Sequence, residues 1–156
     1  MNLQFKSLSN HQVIDDLAGY IKNIIKQKPG IKIYVGTDSQ NSRRNTTYAT
    51  VIVLHINEND SGKGAHVLYS KEHLPKLRDR YTRLWGEVER SVEISNILRD
   101  KGLDIKNIDL DFNEDPRFNS NTVLRSAVGY VEASGFIARW KPHNAFAVRC
   151  ANSLCK

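Results

Sequence analysis

Ile31-Lys32-Ile33-Tyr34-Val35-Gly36-Thr37-Asp38-Ser39-Gln40 decides how this chain is read. Residues 31–37 alternate and are rich in β-branched side chains, which predicts a strand, and the polar run 36–44 predicts a turn behind it. Upstream, Val13, Ile14, Leu17, Ile21, Ile24 and Ile25 recur at helical spacing across residues 10–27, and Lys28-Pro29-Gly30 stops the pattern. An amphipathic leading helix is expected there. Downstream, 48–56 is a nearly continuous apolar run, as a central strand requires, while the Asn, Asp, Ser and Gly of 57–63 predict a turn and 65–70 a third short strand. Short turns between three strands predict an antiparallel meander.

The period then changes. Leu77, Leu84, Val88, Val92 and Leu98 follow helical spacing over 77–101, and Gly102 closes the helix. Residues 105–112 alternate again, with Ile108, Leu110 and Phe112 on one face and Asp109, Asp111 and Asn113 on the other. A helix over 119–134 ended by Gly135, a fifth strand over 136–140 and a final helix over 143–155 complete the pattern. The resulting order, a leading helix and then β-β-β-α-β-α-β-α, predicts an α/β fold: a mixed five-stranded sheet with flanking helices. It reads as one domain over 1–156, with 1–30 as an N-terminal helical extension.

Composition sets the outer bounds. With 156 residues, 40% apolar and 26% charged, the chain suits one globular domain, and folding at this size buries roughly two-thirds of the surface of the unfolded chain. Twenty-three Lys and Arg against seventeen Asp and Glu leave +6, which suits a polyanionic partner without establishing one. No apolar run approaches the roughly 20 residues of a membrane span, and residues 1–10 lack the apolar block of a signal peptide, so a soluble cytoplasmic protein is expected. Cys150 and Cys155, about 7.5 Å apart along a helix axis, are poorly placed for a disulfide, and two thiols do not make a four-ligand zinc site.

Three acidic features carry candidate chemistry. Asp38 ends the first strand beside Gly36, a glycine that lets a chain or ligand approach closely; taken alone, a turn-capping Asp is the stronger reading. Glu87 lies about 60° from Leu84 on the helical wheel, whereas Leu77, Val88, Ser91, Ser95 and Leu98 lie within about 40° of it. Glu89 and Glu93 fall on the opposite face. A carboxylate at the border of a packed face must be paired, hydrated or bound to a cation, and a rim glutamate reaching for solvent is the equal alternative. Asp109 and Asp111 share a strand face. If that strand lies parallel to the first and beside it, Asp38 and Asp111 meet at the carboxyl ends, where α/β sheets place their sites, with Glu87 entering from the helix. Three converging carboxylates repel one another, and Mg²⁺ or Mn²⁺ would relieve the conflict.

Asp38 on the first strand, Glu87 on the first core helix and Asp111 at the end of the fourth strand, in that order of elements, resemble the ribonuclease H-like superfamily. Ile33 through Gln40, Asp109-Leu110-Asp111, and Lys141-Pro142 followed by an Ala-containing helix are similar to its YkuK-type branch. The resemblance runs from about residue 31 to the C-terminus, leaving the leading helix outside the core. It implies a nuclease hydrolysing phosphodiester bonds of RNA or DNA with two cations about 4 Å apart, one activating water and the other stabilising the leaving oxygen. Asp38 would bridge the cations, Glu87 and Asp111 would flank them, and Asn152 would complete the weaker site. Asn152 stands where the family pattern carries an acid, so the second cation is expected to bind more weakly. His143 could assist a proton transfer, although a surface or capping role is the stronger reading.

Basic residues frame these acids in sequence. Arg43 and Arg44 follow the Asp38 turn, Lys76, Arg78, Arg80 and Arg83 precede or begin the Glu87 helix, and Arg139, Trp140 and Lys141 end the fifth strand. They are expected to form a phosphate-binding rim, with Tyr81, Trp85 or Trp140 available to stack on a base, against the alternative of a merely solvated face and a packed Trp85. Two other functions compete with the nuclease: a nucleic-acid-binding or assembly module without turnover, prompted by Asn152, and an interaction domain whose acids are structural.

Overall fold

The computed structural model describes residues 3–56, 64–113, 121–141 and 146–156. In chain order the elements are β1 (Phe5–Ser7), β2 (Val13–Ile14), α1 (Leu17–Gln27), β3 (Ile31–Asn41), β4 (Asn45–Ile56), β5 (Ala65–Pro75), α2 (Arg80–Asp100), β6 (Asn107–Asn113), α3 (Asn121–Ala133), β7 (Ile137–Lys141) and α4 (Phe146–Cys155). Gly30, at φ +89°, takes the left-handed turn that releases α1 into β3, a conformation that a Cβ would strain.

The strands form one mixed sheet in the order β2-β1-β5-β4-β3-β6-β7. The expected meander is present, with β3 pairing antiparallel with β4 and β4 with β5, each over eleven residue pairs, but residues 36–41 of the expected turn are strand because they continue the β3–β4 ladder. β6 lies parallel to β3, with Gly36 opposite Asp109, and β7 lies parallel to β6. Among the described residues seven strands replace the five expected, because β1 and β2 extend the sheet beyond β5. Without them the outer edge of β5 would present unpaired backbone donors and acceptors. The leading helix is correspondingly shorter than expected. Val13 and Ile14 pair with Lys6 and Phe5 in the sheet, and helix geometry starts at Leu17, where the Asp16 carboxylate accepts from Gly19 N at 3.1 Å.

The same local chemistry moves the start of α2. Leu77 is held outside the helix because its N–H donates to Thr46 Oγ1 at 2.8 Å, and Asp79 caps the helix by accepting from Thr82 N at 3.0 Å. The expected turn at 57–63, the first two residues of the 119–134 helix and the beginning of the 143–155 helix lie outside the described residues.

Alternation along the central strands divides the interior into two cores. Ile33, Val35, Ile52, Leu54 and Leu68 face α1, α2 and α3, where Ile21, Val88, Leu98, Ala127 and Val131 are buried. Tyr34, Ala49, Val51, Val53 and Tyr69 face α4, meeting Ala147, Ala151 and Cys155. Each fully buried Val, Leu or Ile contributes roughly 1.5–3 kcal/mol relative to exposure. The sheet is therefore held from both sides, and β3, an interior strand between β4 and β6, carries side chains into both layers.

Small residues permit the close helix approaches. A Cβ on Gly36 would stand 2.9 Å from Ala147 Cβ and 3.2 Å from Val148 N, so the close approach allowed by this glycine is taken by α4. Gly86 sits against Tyr48, whose hydroxyl would be 2.3 Å from an added Cβ. Next to it, buried Arg90 donates to Gly86 O and Glu72 and lies 3.7 Å over the Tyr48 ring. These contacts fix the turn of α2 that carries Glu87.

Candidate functional site

Asp38 and Ser39 are neighbours on β3 with opposite orientations, and that alternation builds the site. Asp38 faces α4, is 6% exposed, and accepts from Asn152 Nδ2 at 2.8 Å and from Ser39 N at 2.9 Å. Ser39 faces α2, and its hydroxyl donates to Glu87 Oε1 at 2.5 Å. Glu87 is 4% exposed, and its second oxygen, Oε2, has no hydrogen-bond partner among the described residues. Arg83, one turn earlier on α2, donates to the Ser39 carbonyl at 3.1 Å and to its hydroxyl at 2.7 Å.

The parallel β3–β6 register sets the third acid. Two residues beyond the Gly36–Asp109 pair, half-buried Asp111 comes within hydrogen-bonding reach of Asp38. Burial pushes the Asp38 carboxyl up to about 6, and the Asp111 charge and hydrogen bond push the same way against the Asn152 and Ser39 donors. Glu87 is raised well above the usual carboxylate range by burial first, then by the charge of Asp38, with Asp111 adding to it and Arg83 opposing. Asp38, Glu87 and Asp111 thus share one electrostatic environment. Among the described residues, no three His, Cys, Asp or Glu side chains stand as a closed metal-binding group.

Asp109 does different work. It is 1% exposed and paired with Arg139, whose Nε and Nη2 lie 2.8 and 2.7 Å from its Oδ1, while Oδ2 accepts from Ala147 N at 3.3 Å. Burial raises its carboxyl and Arg139 opposes the shift. This acid ties β6 to β7 and to the start of α4. Arg139 also lies 4.2 Å over the Tyr34 ring, so its expected place in a phosphate rim gives way to an internal role.

The other basic candidates lie on the β3–β4 turn and the approach to α2. Exposed Arg43 and Arg44 occupy the β3–β4 turn, and Lys76 N donates to Arg44 O at 3.0 Å while Asn41 Nδ2 donates to Leu77 O at 3.0 Å. Those bonds bring exposed Arg78 and Arg80 beside the turn. Arg83 is half-buried and engaged with Ser39 rather than solvated. The side chain of Lys141, and all of His143, lie outside the described residues. Trp85 packs against the larger core and stacks with exposed Tyr81, ring centroids 6.4 Å apart and planes 7° from parallel; Trp140 also packs against that core.

Cys150 and Cys155 are both free thiols. Cys155 donates to the Asp38 carbonyl at 3.1 Å, and burial together with the Asp38 charge pushes it up to about 12, which keeps it a thiol. Ser39 is the member of this buried cluster that sequence reasoning missed. Strand alternation held the signal, since a residue next to Asp38 must face the helix that brings Glu87.

Among the described residues, a mixed sheet with α1, α2 and α3 on one face and α4 on the other gathers Asp38, Glu87 and Asp111 near the C-terminal end of β3, an α/β arrangement. A family model described as Ribonuclease H-like matches residues 12–156, and the chain belongs to that family. The match includes α1, which the resemblance had left outside. No curated protein and no solved structure matches the chain. Family membership points to nuclease or nucleic-acid-related work. No helix among the described residues is long and apolar enough to cross a membrane.

Proposed function

We propose that this protein is a divalent-cation-dependent nuclease that hydrolyses phosphodiester bonds of RNA or DNA by a two-metal mechanism. The observation that carries the reading is Glu87 Oε2, a buried carboxylate oxygen without a donor among the described residues, in the field of Asp38 and Asp111. An oxygen-only donor set of this kind suits Mg²⁺ or Mn²⁺ and would relieve the mutual repulsion of the acids. Asp38, Glu87 and Asp111 would hold the cations, and the Asn152 amide would offer a neutral oxygen after turning about its terminal bond. Bound there, such cations supply activated water and neutralisation of the leaving oxygen. Ser39 orients Glu87 through its hydroxyl, and Arg83 holds Ser39 in turn. Arg43, Arg44, Arg78 and Arg80, with Lys141, would hold the phosphates of the substrate strand. A cytoplasmic location accords with two cysteines kept as thiols.

Labelled RNA, DNA and hybrid duplexes incubated with Mg²⁺ or Mn²⁺ test this reading. Cleavage that disappears in Asp38→Asn and Asp111→Asn supports it; no cleavage of any substrate by the parent chain sinks it. One observation favours a binding or assembly module without turnover: Asn152 presents its amide nitrogen to Asp38 and so satisfies the acid without a cation. Under that alternative the chain retains nucleic-acid binding while hydrolysing nothing.

A further inference from the structure

At the opposite end of β3, about 16 Å from Asp38 at the usual rise per strand residue, the surface opens into a cavity of about 860 Å³. Its volume lies in the range of small-molecule sites. The cavity forms because β6 begins late. Pairing between β3 and β6 starts at Tyr34 opposite Asn107, so the first three residues of β3 have no ladder partner on that side. Buried Ile33 and Leu103, with half-buried Ile25 and Ile31, make an apolar floor.

Charge around that floor is one-sided. Exposed Lys22 and Lys26 from α1, Lys32 from β3 and Lys106 before β6 line the opening. Asp104 is the one acid among the lining residues, and it already faces Lys106 at 3.5 Å. The Lys22 ammonium lies 3.6 Å from the position a Cβ on Gly102 would take, so the glycine, at φ +93°, leaves this lysine room beside the cavity. Arg139 adds positive potential, although its guanidinium is already shared with Asp109 and Tyr34.

We infer that this cavity binds a nucleotide, with the phosphate held by lysines that line its opening and the flat base on the isoleucine and leucine floor. Neither the carboxylates nor the Arg78–Arg80 rim contributes to it, so the inference stands apart from the proposed nuclease reaction. An apolar floor without lysines would select hydrophobic compounds, and lysines without a floor would hold any phosphate. Together they favour an anion attached to a planar body.

Calorimetric titration of the full chain with adenosine monophosphate, adenosine and inorganic phosphate, without divalent cations, tests the site. Adenosine monophosphate should bind saturably, with adenosine and phosphate each weaker by roughly tenfold or more, the scale of losing one charge-assisted contact or its apolar counterpart. Lys22→Ala/Lys32→Ala, and independently Lys26→Ala/Lys106→Ala, should weaken the nucleotide by a similar factor at an unchanged thermal midpoint. Arg78→Ala/Arg80→Ala should leave it unaltered. Absence of binding heat, phosphate or adenosine binding as tightly as the nucleotide, or both lysine pairs behaving like the parent chain would overturn the inference.

Discussion

Asp38 shows how a single residue can cost stability and serve chemistry. Its carboxyl holds a proton to about 6 in the folded chain, against 3.8 for an ordinary Asp, so the folded state binds more protons than the unfolded state between these values. Stability is then highest below 3.8 and falls as the pH rises through about 6, with a penalty of roughly 3 kcal/mol at 1.36 kcal/mol per unit. Glu87, shifted in the same direction, adds a penalty of the same sign. We expect Asp38→Asn in a chelator to be more stable than the parent at pH 7.5 by up to about 3 kcal/mol, and the two to converge near pH 4. Added Mg²⁺ should raise the thermal midpoint of the parent and leave the variant unmoved. Denaturation at both pH values, with and without Mg²⁺, checks this; equal responses to Mg²⁺ would remove Asp38 from any cation site.

At the scale of elements, α4 is set by contacts that sequence order hides. Asp109 holds its first turn through Ala147 N, Gly36 lets it settle onto β3, and only then can Asn152 reach Asp38. Gly36→Ala forces its new methyl against Ala147 and the backbone of Val148, an overpacking that should cost about 1–3 kcal/mol in urea unfolding. A cost below a few tenths would mean that α4 shifts freely. Asn152→Asp probes the same helix from its other end. It replaces a donor to Asp38 with a further negative charge, so the cation-free protein should lose about 1–3 kcal/mol, the scale of a lost charged hydrogen bond. Its midpoint should also gain more from Mg²⁺ than that of the parent. Thermal melts with and without Mg²⁺ measure both effects, and an unchanged Mg²⁺ response would separate Asn152 from the proposed site.

Across the whole molecule, the net charge of +6 is distributed with a pattern. Carboxylates sit buried at one end of β3, arginines crowd the neighbouring β3–β4 turn and the approach to α2, and lysines ring the cavity at the other end. Exposed arginines at phosphates bind by releasing counterions, and each phosphate contact contributes about 0.9 to the slope of log affinity against log salt on duplex DNA. Arg78→Ala/Arg80→Ala should therefore lower the salt slope of duplex DNA binding by nearly 2, as read by fluorescence anisotropy across a salt series. An unaltered slope would place the phosphates elsewhere.

What was legible in the sequence was whatever depends on local period and on residue type. Alternation from Ile31, the apolar run of β4 and helical spacing around Leu84 revealed the meander and α2, and Asp38 stood out beside Gly36, Glu87 at the border of an apolar helix face and Asp111 on the polar face of its strand. Val13 and Ile14 were misassigned because two adjacent apolar residues fit a helix face or a strand equally well, and their pairing with Phe5 and Lys6 decided between them. Tertiary structure gave the two strand acids their partners. Asp109 became an internal anchor because Arg139 on β7 and Ala147 on α4 converge on it, while Asp111, two residues on, joined Asp38. Ser39 became the partner of Glu87 for the same reason. Periodicity assigns a residue to a face, but its role depends on which distant element covers that face, and that is set by long-range packing.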